Sequence, residues 1–133
     1  MQIHWLAILG AAVAGFVVGG LWYGPLFGKA WVKARGLDEA ELKKGMSMPM
    51  IFGGTFVFNL LAAFMLDHLY GTYDAQMGFH HALVIAGIIG IGFIATSIGV
   101  NYLFARLPRA LFLIDAGYWT VTYLAMGAVF GLV

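Results

Sequence analysis

Cysteine is absent from the 133 residues, and charged residues make up only 10% of them. The lack of cysteine excludes disulfides, thiolate metal sites and cysteine nucleophiles, and it leaves the redox compartment undetermined. The scarcity of charge sets the chain apart from soluble domains, in which about a quarter of the residues are charged. Phosphate-binding loops, catalytic triads and zincin motifs are absent as well. We therefore expect neither an enzyme nor a cofactor, and no nucleic-acid partner.

Hydrophobic residues, in contrast, make up 62% of the chain. A hydrocarbon core about 30 Å thick needs roughly 20 mostly apolar residues for each spanning helix. Four runs meet this requirement and predict spans over residues 3–23, 49–69, 79–105 and 109–132. Since little chain remains outside them, the sequence predicts one domain over residues 1–133, an all-α membrane bundle in contact with the lipid bilayer. The first run has no basic residue before it, and we expect a retained span rather than a signal peptide.

Residues 24–47 form the longest polar connection between the predicted spans. Pro25 can begin a short helix and Gly36 can end it. Within this helix, Lys29 and Lys33 lie opposite an apolar face that includes Trp31. Such a pattern predicts an amphipathic helix at the membrane interface, with lysines reaching anionic headgroups.

The basic residues are confined to two of the connections. All seven lie there, and none lies at either terminus or between the second and third spans: Lys29, Lys33, Arg35, Lys43, Lys44, Arg106 and Arg109. With four spans, these two connections share one side of the membrane. The positive-inside bias then predicts cytoplasmic connections and outside termini in a bacterial cytoplasmic (inner) membrane. It also argues against dual-topology insertion, which needs balanced charges.

Polar residues within the predicted spans are the first candidates for function, because such groups are costly inside a bilayer. Six of them are predicted to form an intramembrane polar layer: Thr55, Asn59, Ser97, Asn101, Asp115 and Thr122. They can line a path for a solute or ion, or they can hydrogen-bond between helices and fix the packing. Hydroxyl groups can also bond to their own backbone. For Asp115, Arg106 and Arg109 are the expected partners.

The first span carries small residues at every fourth position: Ala7, Ala11, Gly15 and Gly19. This pattern predicts a helix-packing face, because small residues let a second helix approach closely in lipid. The partner helix can belong to the same subunit or to another one.

A second cluster of candidates is expected at the outer face, where all four histidines of the chain are placed. Together with nearby carboxylates they form a weak candidate set for a metal site or a pH sensor: His4, Asp67, His68, Asp74, His80 and His81. Imidazole and carboxylate suit zinc or copper, although the spacing is not a recognised metal motif. Interfacial histidines without a ligand are the competing interpretation.

Several stretches of the chain resemble a family of small bacterial membrane proteins known as domain-of-unknown-function family 1761. They are IHWLA at residues 3–7, LWYGPLFGKAW at 21–31, NYLF at 101–104 and LFLIDAGY at 111–118. The resemblance covers both ends and implies four-span proteins without an assigned activity. Members often carry asparagine where this chain has Asp115, which favours a hydrogen-bonding role for that residue.

Three classes of function remain open at this point. The first is a small channel or transporter that uses the polar layer, for a solute or ion that the sequence does not identify. The second is a structural or accessory membrane protein, and the third is a metal or pH sensor at the outer face. We also expect a homo-oligomer, because one four-helix bundle encloses little volume and a pathway forms more easily between subunits.

Overall fold

The computed structural model describes residues 3–36, 48–72 and 78–133, and its regular structure within these ranges is entirely helical. The predicted all-α class is thereby confirmed. Three of the described helices are long and apolar enough to cross a membrane: Trp5–Leu26, Met48–Tyr70 and Phe79–Ala105. The chain thus has the helices of a membrane protein, while the count of four spans stays a prediction.

Within the described residues, six α-helical segments and two π-helical segments follow one another. They are α1 (Trp5–Leu21), π1 (Trp22–Leu26), α2 (Gly28–Arg35), α3 (Met48–Tyr70), α4 (Phe79–Gly87), π2 (Ile88–Ala95), α5 (Thr96–Ala105) and α6 (Arg109–Leu132). Segments α4, π2 and α5 form one continuous helix of 27 residues, called the third long helix below. Helix α6 has 24 residues and a length similar to that of the other long helices.

The first helix keeps helical geometry as far as Tyr23, its predicted end, and kinks at Gly24 within π1, which extends to Leu26. Pro25 lies inside this segment and has no N–H to donate to the preceding turn. Gly24 leaves helical geometry, at φ −97° and ψ −107°, and the Phe27 N–H donates to the carbonyl of Trp22, five residues back, at 2.8 Å. The widened turn therefore aims the chain into α2, which ends at Gly36 in the left-handed conformation (φ 73°).

The third long helix turns into α6 through a tight connection. Arg106 takes the left-handed conformation (φ 57°), and the Leu107 N–H donates to the carbonyl of Tyr102 at 3.0 Å. This pattern is a Schellman motif, in which a non-glycine residue is uncommon. Pro108 follows in extended geometry, so the connection fixes where α6 begins.

Helices α1 and α6 lie at the centre of the bundle. Helix α3 packs on α1, and the third long helix packs on α6. Near the first residues of α1, helix α3 also contacts the third long helix, because the Tyr70 hydroxyl donates to the carbonyl of Ala82 at 2.8 Å. A small apolar core fills this region: Ile8, Ala11, Ala12, Ala63, Leu66, Tyr70, Ala82 and Met126. We call this region the histidine end and the opposite region, which holds α2 and the turn before α6, the basic end.

Candidate functional site

At the basic end, one buried carboxylate accepts hydrogen bonds from two tyrosines. Asp115, in the second turn of α6, is only 7% exposed. The Tyr23 hydroxyl, presented by π1, donates to Oδ1, and the Tyr102 hydroxyl, presented by α5, donates to Oδ2. Both carboxyl oxygens are therefore bonded, and the three residues join three separate helical segments.

Aromatic packing holds the Tyr23 side chain in place. Its ring meets Trp31 of α2 edge-on at a centroid distance of 6.0 Å and Tyr118 of α6 at 5.0 Å. The adjacent Trp22 indole donates to the carbonyl of Ile114 at 2.9 Å. A Cβ on Gly117 would lie 2.9 Å from the Trp22 ring, so glycine at this position lets the indole reach α6.

The expected arginine partners of Asp115 are not its partners in the structure. Arg106 and Arg109 are exposed, and within residues 3–36, 48–72 and 78–133 the one ion pair joins His4 and Asp67. The physical reason is placement, since Arg106 lies in the turn and Arg109 lies on a different face of α6 from Asp115. A role for Tyr23 and Tyr102 as donors was missed, because aromatic residues near span ends are typical of interfacial belts.

A second polar group lies deeper in the bundle, where α1, α3 and α6 meet. Asn59 is 2% exposed and Thr122 is fully buried, yet neither the Asn59 Nδ2 nor the Thr122 Oγ1 has a hydrogen-bond partner in the described part of the chain. Gly15 lies between them, since a Cβ there would be 3.2 Å from Thr122 Cγ2 and 3.4 Å from Asn59 Nδ2. A buried polar group without a partner costs about 1–3 kcal/mol, so this pair needs an explanation.

The other predicted members of the polar layer lie elsewhere, so the six residues do not share one layer. The hydroxyls of Thr55 and Ser97 donate to carbonyls of their own helices, those of Ile51 at 2.7 Å and Phe93 at 2.6 Å. Asn101 is exposed on the third long helix. Of the six residues, three are therefore buried, in two groups: Asp115 with its tyrosines, and the pair Asn59 and Thr122.

The small-residue face of α1 lies against helices of the same chain. Ala7 and Ala11 are buried at 3% and 0% exposure. A Cβ on Gly15 would lie 2.8 Å from Met126 Cε, and one on Gly19 would lie 3.2 Å from the Tyr118 hydroxyl. This face thus places α1 close to α6.

A second close contact joins the third long helix to α6 and was missed from the sequence. A Cβ on Gly127 would lie 2.6 Å from the Cβ of Ala86, and one on Gly90 would lie 3.1 Å from the Cα of Thr120. Ala82, Ala86 and Gly90 recur at every fourth position, the same spacing that singled out the face of α1. The signal was therefore present in the sequence.

At the histidine end, His4 is the one candidate histidine that meets a carboxylate within the described ranges. His4 Nδ1 lies 2.7 Å from Asp67 Oδ1, and the His4 backbone N–H donates to Oδ2 at 3.2 Å. Asp67 is buried and so ties the start of α1 to α3. The side chains of His68, His80 and His81 are exposed.

The described residues contain no group of three or more His, Cys, Asp or Glu side chains that could hold a metal ion. Asp74, the remaining candidate ligand, lies outside the described residues. The structure therefore gives no support to a metal centre in the part that it describes.

The comparison with protein families gives one result that covers almost the whole chain. The family model described as protein of unknown function (DUF1761) matches residues 6–131. No curated protein and no solved structure matches the chain. The match runs from the first turn of α1 to the last turn of α6 and includes the residues of both internal polar groups. The chain therefore belongs to the DUF1761 family.

Proposed function

We propose that this protein is a non-enzymatic, four-span membrane protein of the bacterial cytoplasmic membrane that moves a small solute or ion through the centre of the bundle. Helix α6 is the fourth span in this proposal, since its 24 residues are enough to cross the hydrocarbon core. Its polar residues Asp115 and Thr122 are buried against the other helices rather than directed to lipid.

The observation that carries the transport proposal is the buried pair Asn59 and Thr122, whose amide nitrogen and hydroxyl have no hydrogen-bond partner among the residues that the structure describes. Polar groups kept only for packing are normally hydrogen-bonded to each other or to the backbone, as those of Thr55 and Ser97 are. An amide and a hydroxyl without partners suit a bound water, ion or solute instead. Tyr118, one turn from Thr122 on α6, lies between this pair and Asp115 along the same helix.

The absence of native cysteine makes a direct test possible. Single cysteines at Asn59 and Thr122 are treated in inside-out vesicles with a small, membrane-impermeant thiol reagent, which reacts only where water supports a thiolate. We expect both positions to react. Ala63→Cys is the matched control, because Ala63 lies one turn further along α3 in the apolar core and should stay unlabelled. If neither Asn59→Cys nor Thr122→Cys reacts while Lys33→Cys does, the transport proposal fails.

A structural or accessory role is the second candidate, and the Asp115 site favours it. Both oxygens of that carboxyl are occupied by tyrosine hydroxyls, as expected of a group that fixes helix positions. The close contacts at Gly15 and Gly127 also indicate dense packing. Unreactive cysteines at Asn59 and Thr122 would favour this candidate.

The proposed orientation places both basic connections in the cytoplasm and both termini outside, on the basis of the seven-to-zero distribution of Lys and Arg. Thr72 and Lys33 are exposed at opposite ends of the bundle and serve as reporters. In spheroplasts the impermeant reagent should label Thr72→Cys and leave Lys33→Cys unlabelled until the membrane is opened. The reverse pattern would contradict the orientation.

We also propose that copies of the chain associate. In the apolar 18-residue stretches of Met48–Tyr70 and Phe79–Ala105, only 17% and 11% of the residues are buried within one chain. These helices therefore offer wide apolar faces to lipid or to another copy. Light scattering in mild detergent measures the mass of the particle. A clean monomer would contradict the proposed association, whereas the proposed path through the centre of one bundle does not depend on it.

A further inference from the structure

The structure contains a groove at the basic end that adjoins the Asp115 site through Tyr102 and is separate from the Asn59–Thr122 pair. It lies between α5 and α6, encloses about 220 Å³ and is lined by Gly99, Tyr102, Leu103, Leu107, Arg109 and Phe112. Its wall is almost entirely apolar, and Arg109 is the one charged residue among those that line it. We propose that this groove binds one anionic phospholipid, with an acyl chain along Gly99 and Phe112 and the phosphate on Arg109.

The charge at this end of the bundle favours an anionic headgroup. Among the described residues, five exposed cations are placed there, three on α2 and two at the turn into α6: Lys29, Lys33, Arg35, Arg106 and Arg109. The only carboxylate among the described residues of this end is Asp115, which is buried and bonded to tyrosines. Basic pockets between membrane helices at the cytoplasmic side bind acidic lipid headgroups in this way.

The shape of the groove favours an acyl chain below that headgroup. Gly99 leaves the floor open, because a Cβ there would already lie 3.3 Å from the Phe112 ring. The Schellman turn brings Leu107 back over α5, since its N–H bonds to the carbonyl of Tyr102. An apolar slot lined in part by an exposed arginine matches the two parts of a phospholipid.

A second groove in the structure provides an internal comparison. It encloses about 230 Å³ and is lined by Ala62, Met65, Leu66, Leu69, Ile89 and Tyr123. No cation lines it. The second groove therefore has room for an acyl chain but no group that selects an anionic headgroup.

The bound lipid also contacts the Asp115 site from outside. Tyr102 forms part of the groove wall and donates its hydroxyl to Asp115. The lipid and the carboxylate thus lie on two sides of the same tyrosine. The lipid proposal goes beyond the transport proposal and does not depend on it, since its test measures lipid binding alone.

The test is native mass spectrometry of the detergent-purified protein titrated with phosphatidylglycerol or with phosphatidylcholine of identical acyl chains. We expect the first bound phosphatidylglycerol to be held roughly five- to tenfold more tightly than phosphatidylcholine. Arg109→Gln should remove that preference. Lys33→Gln is the matched control, because it removes an exposed cation at the same end without touching the groove, and it should keep the preference.

Circular dichroism and thermal unfolding will show whether Arg109→Gln disturbs folding. If it does, two further variants test the lipid site. Gly99→Leu keeps every charge and fills the groove, so this variant should also lose tight binding of phosphatidylglycerol. Ala62→Leu fills the second groove instead and should retain tight binding of phosphatidylglycerol. Equal affinities for the two lipids in the wild-type protein, or equal losses in Lys33→Gln and Arg109→Gln, would overturn the proposal.

Discussion

Tyr23 and Asp115 are 92 positions apart in the sequence, and the hydroxyl of the first donates to the carboxyl of the second. This bond joins the π-helical end of the first long helix to the second turn of α6. Tyr102 donates to the other carboxyl oxygen from α5. One acidic side chain thus connects three helical segments at the basic end of the bundle.

Replacing either tyrosine by phenylalanine should weaken this connection. Each substitution removes one hydrogen bond to a carboxyl group and leaves one carboxyl oxygen without its donor, so we expect a loss of about 1–3 kcal/mol in the free energy of unfolding. Tyr23→Phe should cost more than Tyr102→Phe. The Tyr23 ring packs among Trp31 and Tyr118, so water is less able to reach Asp115 there and replace the lost hydroxyl. Unfolding in mixed micelles measures both variants, and a loss within 0.3 kcal/mol for both would contradict the role of Asp115 as an anchor.

Asp115→Asn separates hydrogen bonding from charge. The carboxamide keeps one acceptor oxygen for a tyrosine and gains N–H groups that can donate to the other phenol. We expect Asp115→Asn to lose about 1 kcal/mol or less, and Asp115→Leu to lose at least ~2 kcal/mol because two phenols lose their acceptor. If Asn and Leu are equally disruptive, the negative charge rather than the hydrogen bonds matters at this position.

Gly127 tests the second close contact, between α6 and the third long helix. A Cβ there would lie 2.6 Å from the Cβ of Ala86 and 3.0 Å from the carbonyl of Ala82, so Gly127→Ala should force the helices apart at a cost of about 1–3 kcal/mol. Gly53→Ala is the matched control in α3, where nothing lies within 4 Å of the added atom. We expect the control to be stabilised by about 0.5–1 kcal/mol, because alanine is the better helix former.

The pair His4 and Asp67 provides a test at the histidine end. Asp67→Ala removes the acceptor of both the imidazole and the His4 backbone N–H, and we expect it to lower the free energy of unfolding by about 1–3 kcal/mol. His4→Ala should cost less, because the backbone bond to Oδ2 remains. His80→Ala changes an exposed histidine and should stay within about 0.5 kcal/mol of the wild type. An effect of His80→Ala as large as that of Asp67→Ala would indicate a shared histidine cluster instead.

The helices were largely predictable from the sequence because their hydrophobic runs are long and sharply bounded. The third long helix and α6 begin and end at the predicted residues, and α3 is longer than predicted by one residue at each end. The first helix breaks at Gly24, directly after its predicted end at Tyr23, because Gly24 and Pro25 interrupt helical geometry. The π-helical turn that follows and the bond from Trp22 to Ile114 were not predictable from the sequence.

The internal sites were only partly predictable. A buried carboxylate at Asp115 follows from its position in an apolar run, but its donors come from helices that the sequence does not bring together. Similarly, Asn59 and Thr122 were singled out as polar residues in apolar runs, whereas their lack of partners depends on how closely α1 approaches at Gly15. The contact of Ala82, Ala86 and Gly90 with α6 could have been found from spacing alone.

The central position of α6 has a consequence for how the protein is made. Both α1 and the third long helix pack against α6, and α6 is synthesised after them. During translation, the small-residue face of α1 therefore lacks its contact with α6 at first. Helix α3 is already available to pack on α1 at that stage. Helix α1 and the third long helix therefore reach this packing only after α6 has been synthesised and lies between them.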